Sequence, residues 1–125
     1  MTASTHNAGT PEELNTLNMQ AFQRRDLDAL VSLYHPEARL QPSPGTVVVG
    51  EDAIREGLKE VIDSGTEVDL ELQHIQQVGD VATLWNVLTL TAPDGTVTRQ
   101  ETTEVVQRQI DGRWQYLIDV IGQAY

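Results

Sequence analysis

Two acids in this chain sit in apolar, strand-like surroundings where a carboxylate is expensive. Asp119 falls between isoleucine and valine in WQYLIDVIGQAY, and Glu104 precedes two valines in QETTEVVQRQI. An unpartnered ionised carboxylate in such a setting costs several kcal/mol, so it finds partners or takes up a proton. If the two acids face each other, repulsion and desolvation together raise one pKa and leave a proton shared, and such a pair can act as acid or base. The bland alternative is an ion-pair network, with Arg108 on the same face neutralising one acid.

Whether they meet depends on the strands that carry them. After Gly65 the hydrophobic pattern alternates through four runs, Thr66 to Val78, Val81 to Ala92, Thr96 to Ile110 and Arg113 to Ile121. The separators Gly79-Asp80, Asp94-Gly95 and Asp111-Gly112 are tight-turn dipeptides, which predicts a four-stranded antiparallel meander. Two-residue loops would set Glu104 opposite Asp119, Trp85 beside Glu104 and His74 beside Trp85. The row His74, Trp85, Glu104, Asp119 then lies on the apolar side, because Val68, Leu70, Leu72 and His74 alternate with Glu67, Asp69, Glu71 and Gln73. One further residue in the turn around Pro93-Asp94-Gly95 would move Trp85 away from Glu104.

Flanking rows would hold Val87, Thr102 and Ile121 on one hand and Thr83, Val106 and Leu117 on the other, apolar walls around a polar centre. In that pocket Trp85 offers an aromatic floor or simply fills the core. His74 is a proton shuttle or a satisfied core histidine, and three strand spacings, about 14 Å, separate it from Asp119. The opposite face would carry Leu84, Leu88, Val105, Trp114, Tyr116, Ile118 and Val120, too apolar to leave in water, so a homodimer packing sheet on sheet is expected.

Upstream, Met1 to Thr10 read as a mobile tail, and residues 11–125 as one domain. TPEEL gives a cap, a proline at the first helical position and two acids, opening a helix that runs to about Arg25 with Asn18 within it. Asp26 caps a second short helix whose inward residues are Leu27, Leu30, Val31 and Tyr34, ended by Pro36. Glu37 to Leu40 reads as a brief strand, QPSPGTVVVG as a loop into another, and Gly50 opens a third helix through about Asp63. Helices on one face of an antiparallel sheet make an α+β fold. Tyr34 points inward and can offer its hydroxyl to the pocket, whereas His35 helps to end its helix.

The chain has 125 residues, no cysteine, three histidines far apart and a formal net charge of −11. A thiolate nucleophile is therefore excluded, no metal constellation or cofactor motif appears, and phosphate backbones and anionic membranes should repel the protein. Neither nucleic acid nor a membrane is an expected partner. An apolar small molecule is, and the polar N-terminus suggests a cytoplasmic protein.

The stretches RRDLDALVSLYHPEARLQPSPGTVVVGEDAIREGL and IDGRWQYLIDV give the chain, from Glu12 onward, a sequence that resembles the SnoaL-like branch of the NTF2-like superfamily. The resemblance implies a cone-shaped barrel in which a curved mixed sheet wraps three helices around a deep pocket. Its members include ketosteroid isomerases, polyketide cyclases, scytalone dehydratase, limonene epoxide hydrolase and domains that only bind or assemble. Ketosteroid isomerase uses an aspartate base, a tyrosine and a protonated aspartic acid. Here Asn18 stands where the tyrosine belongs, Gln41, Pro42 and Ser43 where the base belongs, and Val106 near the second acid, so steroid isomerisation is not implied. Asp119 is similar in placement to the late-sheet aspartate of the SnoaL-type cyclases.

The expected function is a cofactor-independent isomerase, cyclase or dehydratase moving protons α to a carbonyl, with Asp119 as base and Glu104 as its partner. Tyr34 and Asn18 would donate to a developing enolate oxygen, and His74, Trp85 and Thr102 would line the substrate. The alternative is a non-catalytic ligand-binding or dimeric association module of the same fold.

Overall fold

The structure, a computed structural model, describes residues 8–122. Helix α1 spans Pro11–Arg24, with Thr10 accepting a hydrogen bond from the Glu13 N–H and Pro11 placed where no intrahelical donor is needed. It ends at Arg25, which takes the left-handed conformation usually left to glycine, with φ 57°. Asp26 then accepts from the Ala29 N–H and starts α2, Leu27–Ser32. Of the expected tail, Met1 to Asn7, including His6, lie outside the described residues. Ala8 to Thr10 are held: Ala8 is buried and its carbonyl accepts from the Trp114 N–H, while the Gly9 N–H donates to Glu13 Oε1.

Strand β1, Tyr34–Ser43, is longer than expected and takes Tyr34 out of the second helix. The reason is tertiary: β1 runs parallel to the C-terminal strand, Tyr34 pairing with Tyr116 and Leu40 with Asp119, and sheet hydrogen bonds replace the last helical turn. Strand β2, Thr46–Val49, returns antiparallel to β1, and α3, Glu51–Asp63, follows. Strands β3 (Glu67–Val78), β4 (Val81–Thr91), β5 (Val97–Arg108) and β6 (Trp114–Ile121) form the predicted meander. The sheet order is β2-β1-β6-β5-β4-β3, so β6 lies between β1 and β5. The helices cover one face of this curved α+β sheet, packing Leu14, Ala21, Leu30, Val31, Ile54 and Leu58 against Leu40, Ala82, Leu84, Val106, Trp114 and Tyr116.

Turn lengths correct the expected faces. Gly79-Asp80 is the two-residue loop expected, joining Val78 to its partner Val81 with Gly79 at φ 58°. Between β4 and β5 the loop has three residues, Pro93, Asp94 and Gly95: the Ala92 N–H donates to the Thr96 carbonyl, and Gly95 takes φ 91°. That extra residue sets Leu84, not Trp85, opposite Glu104 and turns Leu84, Asn86 and Leu88 inward. The last hairpin also has a three-residue loop, Ile110 to Gly112, closed by the Gln109 N–H on the Arg113 carbonyl. Its one-residue offset puts Trp114 and Tyr116 inward, contrary to expectation, and a β-bulge at Leu117 restores the register so that Glu104 still pairs with Asp119.

A bulge at Gln73 separates Leu72, which faces Asn86, from His74, which faces Trp85. His74 and Trp85 are neighbours as expected, but both lie on the outer face. Trp85 is 43% exposed, and with Thr83, Thr103, Val105, Ile118 and Val120 it forms an outer surface smaller than the one expected.

Candidate functional site

Glu104 from β5 and Asp119 from β6 are directly opposed on the inner face, 4% and 6% exposed. Each has one donor. The Tyr34 hydroxyl donates to Asp119 Oδ2 at 2.6 Å, and Asn86 Nδ2 donates to Glu104 Oε1 at 2.8 Å. Arg108, the cation that could have neutralised the pair, is engaged at the rim with Asp80, its Nε 2.8 Å from Oδ1. The acids are thus buried together with neutral donors instead of an ion-pair partner among the described contacts.

Burial first, then the charge of Asp119, pushes Glu104 up to about 9, against hydrogen bonding from Thr102 and Asn86 that favours its ionised form. Burial also raises Asp119, but hydrogen bonds from Tyr34 and Glu104 favour its anion. The hydrogen bond between the two acids raises Glu104 and lowers Asp119, so of the two Glu104 holds a proton the more tightly. Tyr34 and Tyr116 are both raised well above the ordinary phenol range by burial and by the neighbouring acids, so both remain neutral donors.

Two side chains brace this centre. Gln115 sends its amide to the carbonyls of Ser32 (3.1 Å) and Tyr34 (3.4 Å), pinning the entry into β1 and with it the direction of the Tyr34 ring. Tyr116 packs on Tyr34 with ring centroids 4.9 Å apart and sends its hydroxyl toward the Leu14 carbonyl at 3.5 Å. Asn18 from α1 hydrogen-bonds to Tyr116 and favours its ionised form. Asn18 therefore reaches the pair through Tyr116, and Thr102, facing Asn86 and Ile121, closes the side next to Glu104.

Of the residues singled out in the sequence, Asp119, Glu104, Tyr34, Asn18 and Thr102 come together inside, while His74 and Trp85 do not. Asn86, Gln115 and Tyr116 were missed. The signal for Asn86 was its own oddity, a single amide in the apolar run TLWNVLTL, on the same side of the strand as Leu84 and Leu88, which the misjudged turn had placed outward. Three buried amide oxygens, Asn15 Oδ1, Asn18 Oδ1 and Asn86 Oδ1, have no hydrogen-bond partner. Each such group costs about 1–3 kcal/mol, so their concentration in one interior is energetically conspicuous.

A separate cleft of about 400 Å³ opens between the end of α1 and the start of β3, lined by Phe22, Arg25, Glu67, Val68 and Thr89 among others. Among the described residues, no three His, Cys, Asp or Glu side chains are grouped to hold a metal ion, and no helix is long and apolar enough to cross a membrane.

With this geometry in place, comparison with known proteins is direct. The model of the SnoaL-like domain matches residues 18–117. The chain belongs to this SnoaL-like family. The matched span carries Asn18, Tyr34, Thr102 and Glu104 and stops just short of Asp119. Among solved structures, a ketosteroid isomerase-like protein from Erwinia carotovora atroseptica is 20% identical with TM-score 0.73, covering 100% of this chain and 99% of its own. An NTF2-like protein of unknown function from Pseudomonas putida KT2440 is 18% identical with TM-score 0.76, covering 91% and 84%. A provisionally assigned calcium/calmodulin-dependent protein kinase type II association domain from Thiobacillus denitrificans is 19% identical with TM-score 0.78, covering 95% and 98%. At these identities the likeness is one of fold. No curated protein matches the sequence.

Proposed function

We propose that this SnoaL-like domain is a cofactor-independent acid/base enzyme of isomerase, cyclase or dehydratase type, acting on a small molecule with an apolar body. The observation that carries the reading is the buried, directly opposed Glu104 and Asp119 pair, with the Tyr34 hydroxyl 2.6 Å from Asp119 Oδ2. Asp119, hydrogen-bonded by Tyr34 and Glu104, abstracts a proton α to a carbonyl, and Glu104 returns one. Tyr34, displaced from Asp119 as the substrate enters, donates to the developing enolate oxygen. Leu40, Leu84 and Val106 supply the dry walls that keep water from competing. The kinship in fold with an isomerase-like protein supports the class and leaves the substrate open.

The test is hydrogen–deuterium exchange at the α carbon of ketone probes, 2-tetralone first, followed by NMR in heavy water. Wild type should accelerate exchange, and Asp119→Asn and Glu104→Gln should each reduce it to the buffer rate. Equal rates for all three proteins across the ketone panel would overturn the proposal.

A second reading is favoured by the outer face, where Trp85 and Ile118 are 43% and 41% exposed beside Val105 and Val120. We propose that two copies associate through this surface, as expected for a dimeric association module of the same fold. The two readings are compatible, and the exchange assay separates a catalytic dimer from a purely associating one.

A further inference from the structure

We propose that the interior site takes a neutral small molecule carrying at least two O–H donors, a diol or dihydroxyarene, and that it enters through the cleft between α1 and β3. This assignment rests on the acid/base reading for its chemistry but on different atoms for its recognition.

The unpartnered atoms set the ligand class. Asn86 donates its amide to Glu104, which fixes its orientation and leaves its carbonyl oxygen without a donor, and the Oδ1 of Asn18 is likewise unpartnered. Asn15 and Asn18, three apart on α1, share one helix face, and the Oδ1 of Asn15 is also unpartnered. Asn86 faces Thr102 across β4 and β5, and its Oδ1 is the free acceptor on the sheet side. The interior thus presents two acceptor stations, one on the helix and one on the sheet, each matched by a hydroxyl. An anionic ligand is disfavoured by the acid pair. An ammonium would draw the second carboxyl into ionising and remove the shared proton.

The stations are enclosed, with Asn86 at 0% and Thr102 at 1% exposure, so a route must open. Both walls lead to the cleft. On α1, Phe22 at the cleft lies one turn from Asn18 on the same face. On β3, Val68 at the cleft begins the inner row that continues through Leu70 to Leu72, the partner of Asn86. Between the two stands Met19, whose sulfur accepts from the Leu70 N–H at 3.5 Å, a weak contact made by a flexible side chain. On this route Met19 is the side chain that must move aside.

The test compares resorcinol with m-xylene, two probes of the same outline that differ in having hydroxyls or methyls, by NMR titration at pH 7. Wild type should bind resorcinol at least tenfold more tightly, with shifts at Asn15, Asn18 and Asn86 side-chain amides. Asn18→Leu and Asn86→Leu should each reverse or abolish the preference, and Met19→Ala should speed its exchange on and off. Equal or tighter binding of m-xylene, binding of neither probe, or a high-resolution structure with ordered water on the acceptors and no bound probe after soaking would each overturn the assignment. Repeating the titration with Asp119→Asn separates the two proposals. A retained preference without ketone exchange by wild type would sink the chemistry alone, and ketone exchange without the preference would sink the ligand class alone.

Discussion

Replacing Tyr34 by Phe removes one oxygen and strips a buried carboxylate of its 2.6 Å donor. The charge-assisted bond is worth about 1.5–3 kcal/mol, so Tyr34→Phe should lose that much stability in urea unfolding at pH 7, and Asp119 should rise further above the ordinary carboxyl range. Glu104→Gln should behave in the opposite way. A glutamine reproduces the protonated acid, accepting from Asn86 through Oε1 and donating toward Asp119 through its amide. The sign of the pH effect follows from the raised pKa: unfolded Glu104 releases its proton near 4.5, whereas the folded site keeps it up to about 9. Its contribution is therefore fully present below pH 4.5 and is lost as pH rises toward 9, with a limiting slope of about 1.4 kcal/mol per pH unit. Thermal melts from pH 5 to 9 should show wild type losing more stability than Glu104→Gln, in which only the raised Asp119 still titrates, so the variant is the more stable protein at pH 8. A variant that falls in parallel with wild type would show that Glu104 is ionised in the fold. At this scale the acid pair was legible because alternation and charge cost are local properties of a strand. Asn86 was not, because its face depends on a turn length that Asp-Gly alone does not specify.

Elements were legible wherever hydrophobic period and capping agree, as in α1, α3 and the four long strands. The misses were tertiary. Tyr34 leaves its helix because β6 offers a parallel partner. The last hairpin is the instructive case: a two-residue loop was expected, the loop has three residues, and the Leu117 bulge cancels the difference before Asp119. The pairing of the two acids was thus anticipated through two compensating departures, while Trp114 and Tyr116, lying between them, were assigned to the wrong face. The three-residue loop depends on Gly112 at φ 91°, where an added Cβ meets nothing within 4 Å. Gly112→Ala should therefore cost about 1 kcal/mol from backbone conformation alone, without a packing term, and calorimetry should find the lost stability with the Glu104 and Asp119 contact retained by NMR. A neutral result would mean that the loop relaxes into another turn.

At the scale of the molecule, the outer sheet face and the net charge of −11 act against each other. Apolar contact through Trp85, Val105 and Ile118 favours pairing of copies, while like charge opposes it and is screened by salt. Sedimentation should show a dimer that tightens between low and 0.5 M salt, and Ile118→Lys should shift it to monomer while leaving the melting transition cooperative. A wild-type monomer at high salt and high concentration would remove the dimer.

The central position of β6 has a further consequence, for biosynthesis. Tyr34 and Asp119 meet across 85 residues of sequence, and the strand that carries Asp119 follows every other element in the chain. Until residue 121 has left the ribosome, β1 and β5 present bare edges to the cell where β6 will insert. The acid pair is thus completed only when β6 is made, and a chain stalled a dozen residues earlier lacks Asp119 and is primed to aggregate.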